Sequence, residues 1–288
     1  FGWDKPDYGE PRFMAQLYIL FEDGSDTLII TDQNWKANAG PTYFNNVYVG
    51  DYYDARLEQP GWDVAGFDDA RWDQARLIGG PGGRLVSQKL PPIKKMKTIN
   101  PIGIFEPRPG VFVYDMGQNF TGWAKIEVRG KKGAKIHLQF AEDINENGSI
   151  NTTSNEHAKA EATYILKGDP VEIYEPRFSY YGFKYVEVSS ETELPEIINV
   201  YGQVVYSDNK LSGDFECDNE TINKIHRATV WSQKSNMVGY PLDCPQRDER
   251  LGWFGDVQVT IDEALSNFDM SLFYKTWITG IRHNQNQI

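Results

Sequence analysis

Apolar and polar positions alternate most cleanly in the middle of the chain. Lys125-Ile-Glu-Val-Arg, Lys135-Ile-His-Leu-Gln-Phe and Lys184-Tyr-Val-Glu-Val place an apolar side chain at every second residue, the period of a strand with one buried face. Gly130-Lys-Lys-Gly and Asn145-Glu-Asn-Gly interrupt the pattern as turns, and turn signals spaced about 8 to 12 residues apart favour an antiparallel sandwich. Upstream, shorter strand-like runs at Gln16–Phe21, Thr27–Thr31 and Leu85–Leu90 are separated by Glu22-Asp-Gly and Gly79-Gly-Pro-Gly-Gly, which reads as an all-β module. The lysines of Lys94–Lys97 read as a linker between the two blocks.

At Leu211–Asn219 the period changes. Asp218-Asn219 offers helix N-cap residues, and Ile222, Ile225, Thr229 and Val230 then recur at helical spacing to about Val238. Two more helices are predicted at Gly255–Asn267 and Met270–His283, the latter with a stripe of Leu272, Phe273, Trp277, Ile278 and Ile281. The expected fold class is mainly β: two antiparallel β-sandwich domains, residues 1–101 and 102–207, then the first helices of a larger helical domain, residues 208–288. The chain starts at Phe1 without Met and ends in an amphipathic segment, so it reads as a piece of a longer protein.

Composition narrows the function classes. A net charge of −12 argues against nucleic acid, which requires a basic stripe. No stretch approaches the roughly 20 apolar residues that span a bilayer, and no signal peptide is visible at the start. Two cysteines, Cys217 and Cys244, exclude a disulfide framework and a Cys-rich zinc site; one bridge remains open beside the plainer reading of two free thiols, with Cys244 packed beneath a loop. The four histidines are scattered without a His-x-x-x-His pair, so no metal and no cofactor is expected. Asp143-Ile-Asn-Glu-Asn-Gly-Ser has a faintly calcium-loop spacing but lacks the distal Glu and flanking helices, which leaves a polar hairpin turn. The aromatic content of 14% suits the mixed surface of a sugar and equally a sandwich core; Trp62 and Trp72 carry both readings, stacking platform or buried filler.

The densest chemistry lies between the first two predicted helices. Residues 243–256 read Asp-Cys-Pro-Gln-Arg-Asp-Glu-Arg-Leu-Gly-Trp-Phe-Gly-Asp, four carboxylates, two arginines and a tryptophan in fourteen positions. A surface ion-pair network would contain such charges, but Pro245, Gly252, Gly255 and Trp253 interleave with them, as in a loop shaped to hold a polar ligand.

This run resembles the signature of the bacterial α-L-rhamnosidases, inverting glycoside hydrolases, with Phe254 at the variable position. Asp115–Trp123 (Asp-Met-Gly-Gln-Asn-Phe-Thr-Gly-Trp), Glu175–Val188, Tyr48–Ala55 and Trp62–Trp72 are similar to segments of the family's β-domains. The resemblance implies a jelly-roll or concanavalin-like form for the sandwiches, an (α/α)6 barrel begun by the helices, and a rhamnose-containing glycan or glycoside as substrate. By motif position it implies that Glu249 is the catalytic general acid, and that Asp243, Arg247, Trp253 and Asp256 grip the terminal rhamnose. Nearby anions favour a protonated Glu249 and the two arginines oppose it, so its role rests on the motif match. Asp248 and Arg250 are expected to act as orienting ion pairs. The family's general base lies far downstream, with no matching position here, which implies that the chain alone is inactive. An extracytoplasmic site of action is also implied; oligomeric state has no signature.

Two other classes fit the same residues: a carbohydrate-binding protein of two β-sandwiches with a decayed barrel, against which the intact Asp243, Glu249 and Asp256 speak, and a helical-barrel glycosidase for another sugar. A binding module keeps sugar affinity after Glu249→Gln and never hydrolyses; a changed hydrolase cleaves a different glycoside.

Overall fold

The computed structural model describes residues 12–80, 82 and 84–285. In chain order the strands begin with β1 (Gln16–Leu20), β2 (Asp26–Ile30), β3 (Lys36–Ala37), β4 (Thr42–Asn46), β5 (Gly50–Asp54) and β6 (Asp73–Gln74). They continue with β7 (Ile93–Ile99), β8 (Gly103–Arg108), β9 (Val111–Arg129), β10 (Lys135–Ala141), β11 (Asp143–Ile144) and β12 (Ile150–Asn151). The last four are β13 (Glu161–Ile165), β14 (Glu172–Tyr174), β15 (Tyr181–Ser189) and β16 (Glu196–Ser207). Three helices follow, α1 (Glu220–Ser235), α2 (Phe254–Asn267) and α3 (Ser271–Gln285). The protein is mostly β.

Two compact units divide the chain. The smaller holds the described residues up to Gly40 together with Gln59–Leu85. It contains the antiparallel pairs β1/β2 and β3/β6. The turn at Glu22–Gly24 closes by a hydrogen bond from the Gly24 amide to the Phe21 carbonyl, with Gly24 at φ +84. Trp72 is half-buried, donating from Nε1 to Gln59 Oε1 at 2.8 Å and packing edge-on against Phe67, whereas Trp62 is exposed and fills no core. Leu85–Leu90 is not a strand: its described residues are irregular, and Leu85 and Val86 are exposed. The prolines at 91 and 92 end that run, and pairing begins only after them.

The larger unit, Pro41–Glu58 with Val86–Ile288, is built on one curled ten-stranded sheet whose main path runs β4-β5-β13-β10-β15-β9-β16-β7, with β8 and β14 pairing to β9 off that path. Strand β9 is its spine. Its first half lies between β8 and β15, its second half between β14 and β16. The exchange occurs near Gly122, where any Cβ would collide with the Gln203 carbonyl. Strands β5 and β13 pair in parallel, against the all-antiparallel expectation. This register is possible because the segment that carries β5 enters the sheet from far upstream rather than through a hairpin. The lysines at 94, 95 and 97 belong to edge strand β7 rather than to a linker. Lys94 and Lys95 spend their charges on Asp208 and Glu175 at 2.6 and 2.8 Å, and lysine on an edge strand also discourages pairing with another chain.

Alternation produces the core. Ala124, Ile126 and Val128 on β9, Ile136, Leu138 and Phe140 on β10, and Val186 and Val188 on β15 are completely buried. Phe140 stacks on Tyr181 at 4.0 Å between ring centroids and meets Phe183 edge-on at 4.8 Å. Each such aromatic contributes about 1.5–3 kcal/mol by leaving water. The Asn145–Gly148 hairpin closes β11 onto β12.

Helix α1 begins where predicted, with Asn219 accepting from the Thr221 and Ile222 amides. It docks on the middle of β9: Trp231 Nε1 donates to the Asn119 carbonyl at 2.7 Å, and Thr121 donates to the Ser235 carbonyl at 2.6 Å. Both acceptor and donor on β9 come from the Asp115–Trp123 segment, whose local job is to seat this helix.

Candidate active site

The loop from Pro241 to Trp253 joins α1 to α2 without regular structure, so its backbone groups need other partners. Asp243 supplies some of them. Its amide donates to the Leu251 carbonyl at 3.1 Å and its Oδ1 accepts the Leu251 amide at 2.6 Å, tying the two ends of the charged run together. Only 4% of the Asp243 side chain is exposed.

Arg250 supplies others. The side chain is buried, at 2% exposure, in a residue held at φ +51. Nε donates to the Arg247 carbonyl at 2.8 Å and Nη2 to the Gln246 carbonyl at 3.1 Å, both inside the loop. Nη1 reaches outward to the carbonyls of Val47 at 2.7 Å and Tyr180 at 2.9 Å. The guanidinium lies over the rings of Tyr48 and Tyr180. Burial draws its affinity for the proton below the ordinary arginine value. The expected ion pairs at Asp248 and Arg250 are therefore absent: among the described residues no carboxylate reaches Arg250 and no cation reaches Asp248. A buried planar cation with five donors satisfies carbonyls that the irregular loop would otherwise leave orphaned.

The sheet completes the seat. A Cβ on Gly182 of β15 would lie 2.7 Å from Pro245 and 3.0 Å from Gln246, so the loop rests directly on the β15 backbone. The Tyr48 hydroxyl donates to the Glu249 carbonyl at 3.2 Å and the Tyr240 hydroxyl to the Arg250 carbonyl at 2.8 Å. The candidate side chains then project from a fixed backbone.

Glu249 is one-third exposed. Its Oε1 accepts from Trp253 Nε1 at 2.6 Å, and its Oε2 forms an ion pair with Arg247 Nη2 at 2.7 Å. Arg247 also approaches Asp243 Oδ2 at 3.5 Å, Cys244 Sγ at 3.2 Å and, in the turn before β13, Glu156 Oε1 at 3.0 Å. Asp243, Trp253 and Asp256 line a cleft of about 590 Å³ between α1 and α2, with Thr229, Gln233 and Glu263 on its helical walls. Arg247 and Glu249 adjoin it through their contacts to Asp243 and Trp253. Asp256 sits in the first turn of α2, and Trp253 immediately precedes that helix. The structure thus gathers Asp243, Arg247, Glu249 and Trp253 by direct contact, and places Asp256 on the same cleft.

Cys244 is a free thiol, as is Cys217. It is buried beside Asp243 and donates to its Oδ2 at 2.9 Å; burial, then this hydrogen bond, push its pKa up to about 11. Ligand atoms of Asp243, Cys244 and Glu249 come within 4.8 Å of one another. The Arg247 guanidinium touches all three and supplies positive charge beside them.

Glu156, Tyr48, Tyr180 and Gly182 carry the site from outside the signature. Tyr48, Tyr180 and Gly182 lie in segments that the sequence marks by resemblance, whereas Glu156 lies in a polar turn with no mark at all.

Sequence models of three domains match the chain in succession: an α-L-rhamnosidase N-terminal domain over residues 2–97, a bacterial α-L-rhamnosidase concanavalin-like domain over 105–206, and a bacterial α-L-rhamnosidase 6 hairpin glycosidase domain over 210–287. The chain belongs to the bacterial α-L-rhamnosidase family. Within that family, an α-L-rhamnosidase of Streptomyces avermitilis is 37% identical over 96% of this chain and 27% of its own length. One from Formosa agariphila is 35% identical over 96% of this chain and 29% of its own. Among solved structures, an α-L-rhamnosidase from Dictyoglumus thermophilum superposes with a TM-score of 0.89 at 45% identity, covering 93% of this chain and 31% of that one. The Streptomyces avermitilis α-L-rhamnosidase complexed with L-rhamnose gives 0.89 at 36% identity, covering 94% and 26%. The chain spans less than a third of these relatives. The family is one of glycoside hydrolases, and no helix among the described residues is long and apolar enough to cross a membrane.

Proposed function

We propose that this chain forms part of an inverting glycoside hydrolase that removes terminal non-reducing α-L-rhamnose from a glycoside or polysaccharide, outside the cytoplasm. The observation that carries the reading is the Glu249 carboxylate, held at the cleft between Arg247 and Trp253 within an unbroken family signature. Inversion needs an acid on the leaving oxygen and a second carboxylate, roughly 6.5–9.5 Å away, to activate water. Glu249 is the acid. Trp253 donates to one oxygen and the Arg247 guanidinium faces the other; a glycosidic oxygen that approaches on the Arg247 side displaces the guanidinium, which is then free for the sugar. Arg247, Asp243 and Asp256 bind the vicinal hydroxyls, and Trp253 offers its face to the ring and methyl group.

In this reading residues 1–101 and 102–207 are two β-sandwich domains, and residues 208–288 open an (α/α)6 barrel. The change of partners along β9 supports a sandwich, because it lets one strand serve two layers. The general base comes from beyond these residues, so the 288-residue chain alone turns over no substrate.

The test is hydrolysis of aryl α-L-rhamnoside, and of a panel of other aryl glycosides, by the product of the full open reading frame, by this chain alone and by Glu249→Gln. The reading expects rhamnoside cleavage by the full product only, with kcat lowered about 10²–10⁴-fold or more in the variant, and β-L-rhamnose as the first-formed anomer by NMR. Folded full product that cleaves no glycoside would make the protein a binding module, and preference for another sugar would make it a different glycosidase.

A further inference from the structure

Among the described residues, three non-glycine residues have positive φ: Glu156, Ala160 and Arg250. Two of them frame the turn before β13, and the third anchors the signature loop. Glu156 lies at φ +51 and ψ −108, a region natural to glycine. Its turn is firmly held. Asn155 is 1% exposed and donates from Nδ2 to the Phe140 carbonyl at 2.9 Å, and the Ala158 amide donates back to the Asn155 carbonyl at 2.9 Å. The Ala160 amide bonds the Tyr48 carbonyl at 3.1 Å, beside the ring that covers Arg250. From this rigid turn the half-exposed Glu156 carboxylate reaches Arg247 Nη1 at 3.0 Å.

Glycine would relieve the backbone, so the strain at a glutamate is explained by what its side chain does. Among the described residues, Arg247 is otherwise held by groups of its own loop: Asp243, Cys244 and Glu249. Opening Glu249 to a leaving oxygen breaks the shortest of these contacts. Among the described residues, Glu156 is the anchor outside the loop that remains at that moment.

We infer that Glu156, in the turn before β13, is a positioning residue that holds the Arg247 guanidinium at the sugar site when Glu249 releases it. The inference rests on the rhamnosidase reading. Loss of the anchor weakens a contact made alike in the substrate complex and the transition state, and so raises KM more than it lowers kcat.

Glu156→Gly separates this role from a structural one, because it removes the carboxylate and the strain together. In the full open reading frame with aryl α-L-rhamnoside, the variant is expected to raise KM about tenfold with kcat within about threefold, and to melt at or above the wild-type temperature. Glu156→Asp is expected to recover part of the KM, and Glu156→Gln, which keeps an acceptor oxygen, to fall between Asp and Gly. An active wild type whose KM is unchanged by Glu156→Gly, or a variant that loses Tm and kcat together, overturns the inference alone. A folded wild type that hydrolyses no rhamnoside overturns the functional reading and the inference with it.

Discussion

Strand β9 buries Ala124, Ile126 and Val128 completely, whereas helix α1 leaves Ile222 and Ile225 at 45% and 61% exposure. The contrast extends through both regions. The sheet closes around a continuous core of residues from Ala55 to Val204. The helices share a cluster of seven buried residues, Met237 to Tyr274, while Val259, Leu272 and Ile278 face solvent. A sheet that curls on itself satisfies its own apolar face, but three helices leave part of each stripe uncovered. The signature loop lies where the two regions meet and takes its anchors from the finished side: Gly182, Tyr48, Tyr180 and the Val47 carbonyl.

If the sheet fixes the loop, the largest effect comes from cutting the tie between them. Arg250→Met keeps much of the volume but orphans four carbonyls, and urea unfolding of the chain is expected to show a loss of more than about 3 kcal/mol. Next comes Gly182→Ala, whose methyl would meet Pro245 at 2.7 Å. It is expected to cost about 1–3 kcal/mol in the same measurement, by lifting the loop from β15. The smallest effect belongs to the helical side. Val259→Lys, at a position 81% exposed, is expected to stay within about 0.5 kcal/mol in this chain. The same change in the full open reading frame is expected to cost more, since the proposed barrel covers that face. Equal effects at Gly182 and Val259 would remove the distinction between the two regions.

What the sequence revealed follows the same line. The runs at Lys125–Arg129 and Lys135–Phe140 were readable because one face is buried and the period is two. Asn219 announced α1 because its cap is local. The lysines of β7 misled, since an edge strand tolerates the charges that a linker prefers. Arg250 misled for a different reason: in a run with Asp248 and Glu249 it reads as an ion-pair partner, whereas its acceptors are backbone carbonyls, two of them distant in sequence. Glu156 could not be found by spacing at all, because its partner Arg247 lies 91 residues away and its strain is visible only as a dihedral angle. The signature was legible through its resemblance, and the seat that makes it a site was not.

The most direct test of that seat is backbone hydrogen exchange on this chain, wild type against Arg250→Met. The account predicts that amides of residues 243–251, Leu251 above all, lose protection in the variant while those of β10 and β15 keep theirs. Unchanged protection in the loop would contradict the claim that the sheet, through Arg250, holds the signature in place.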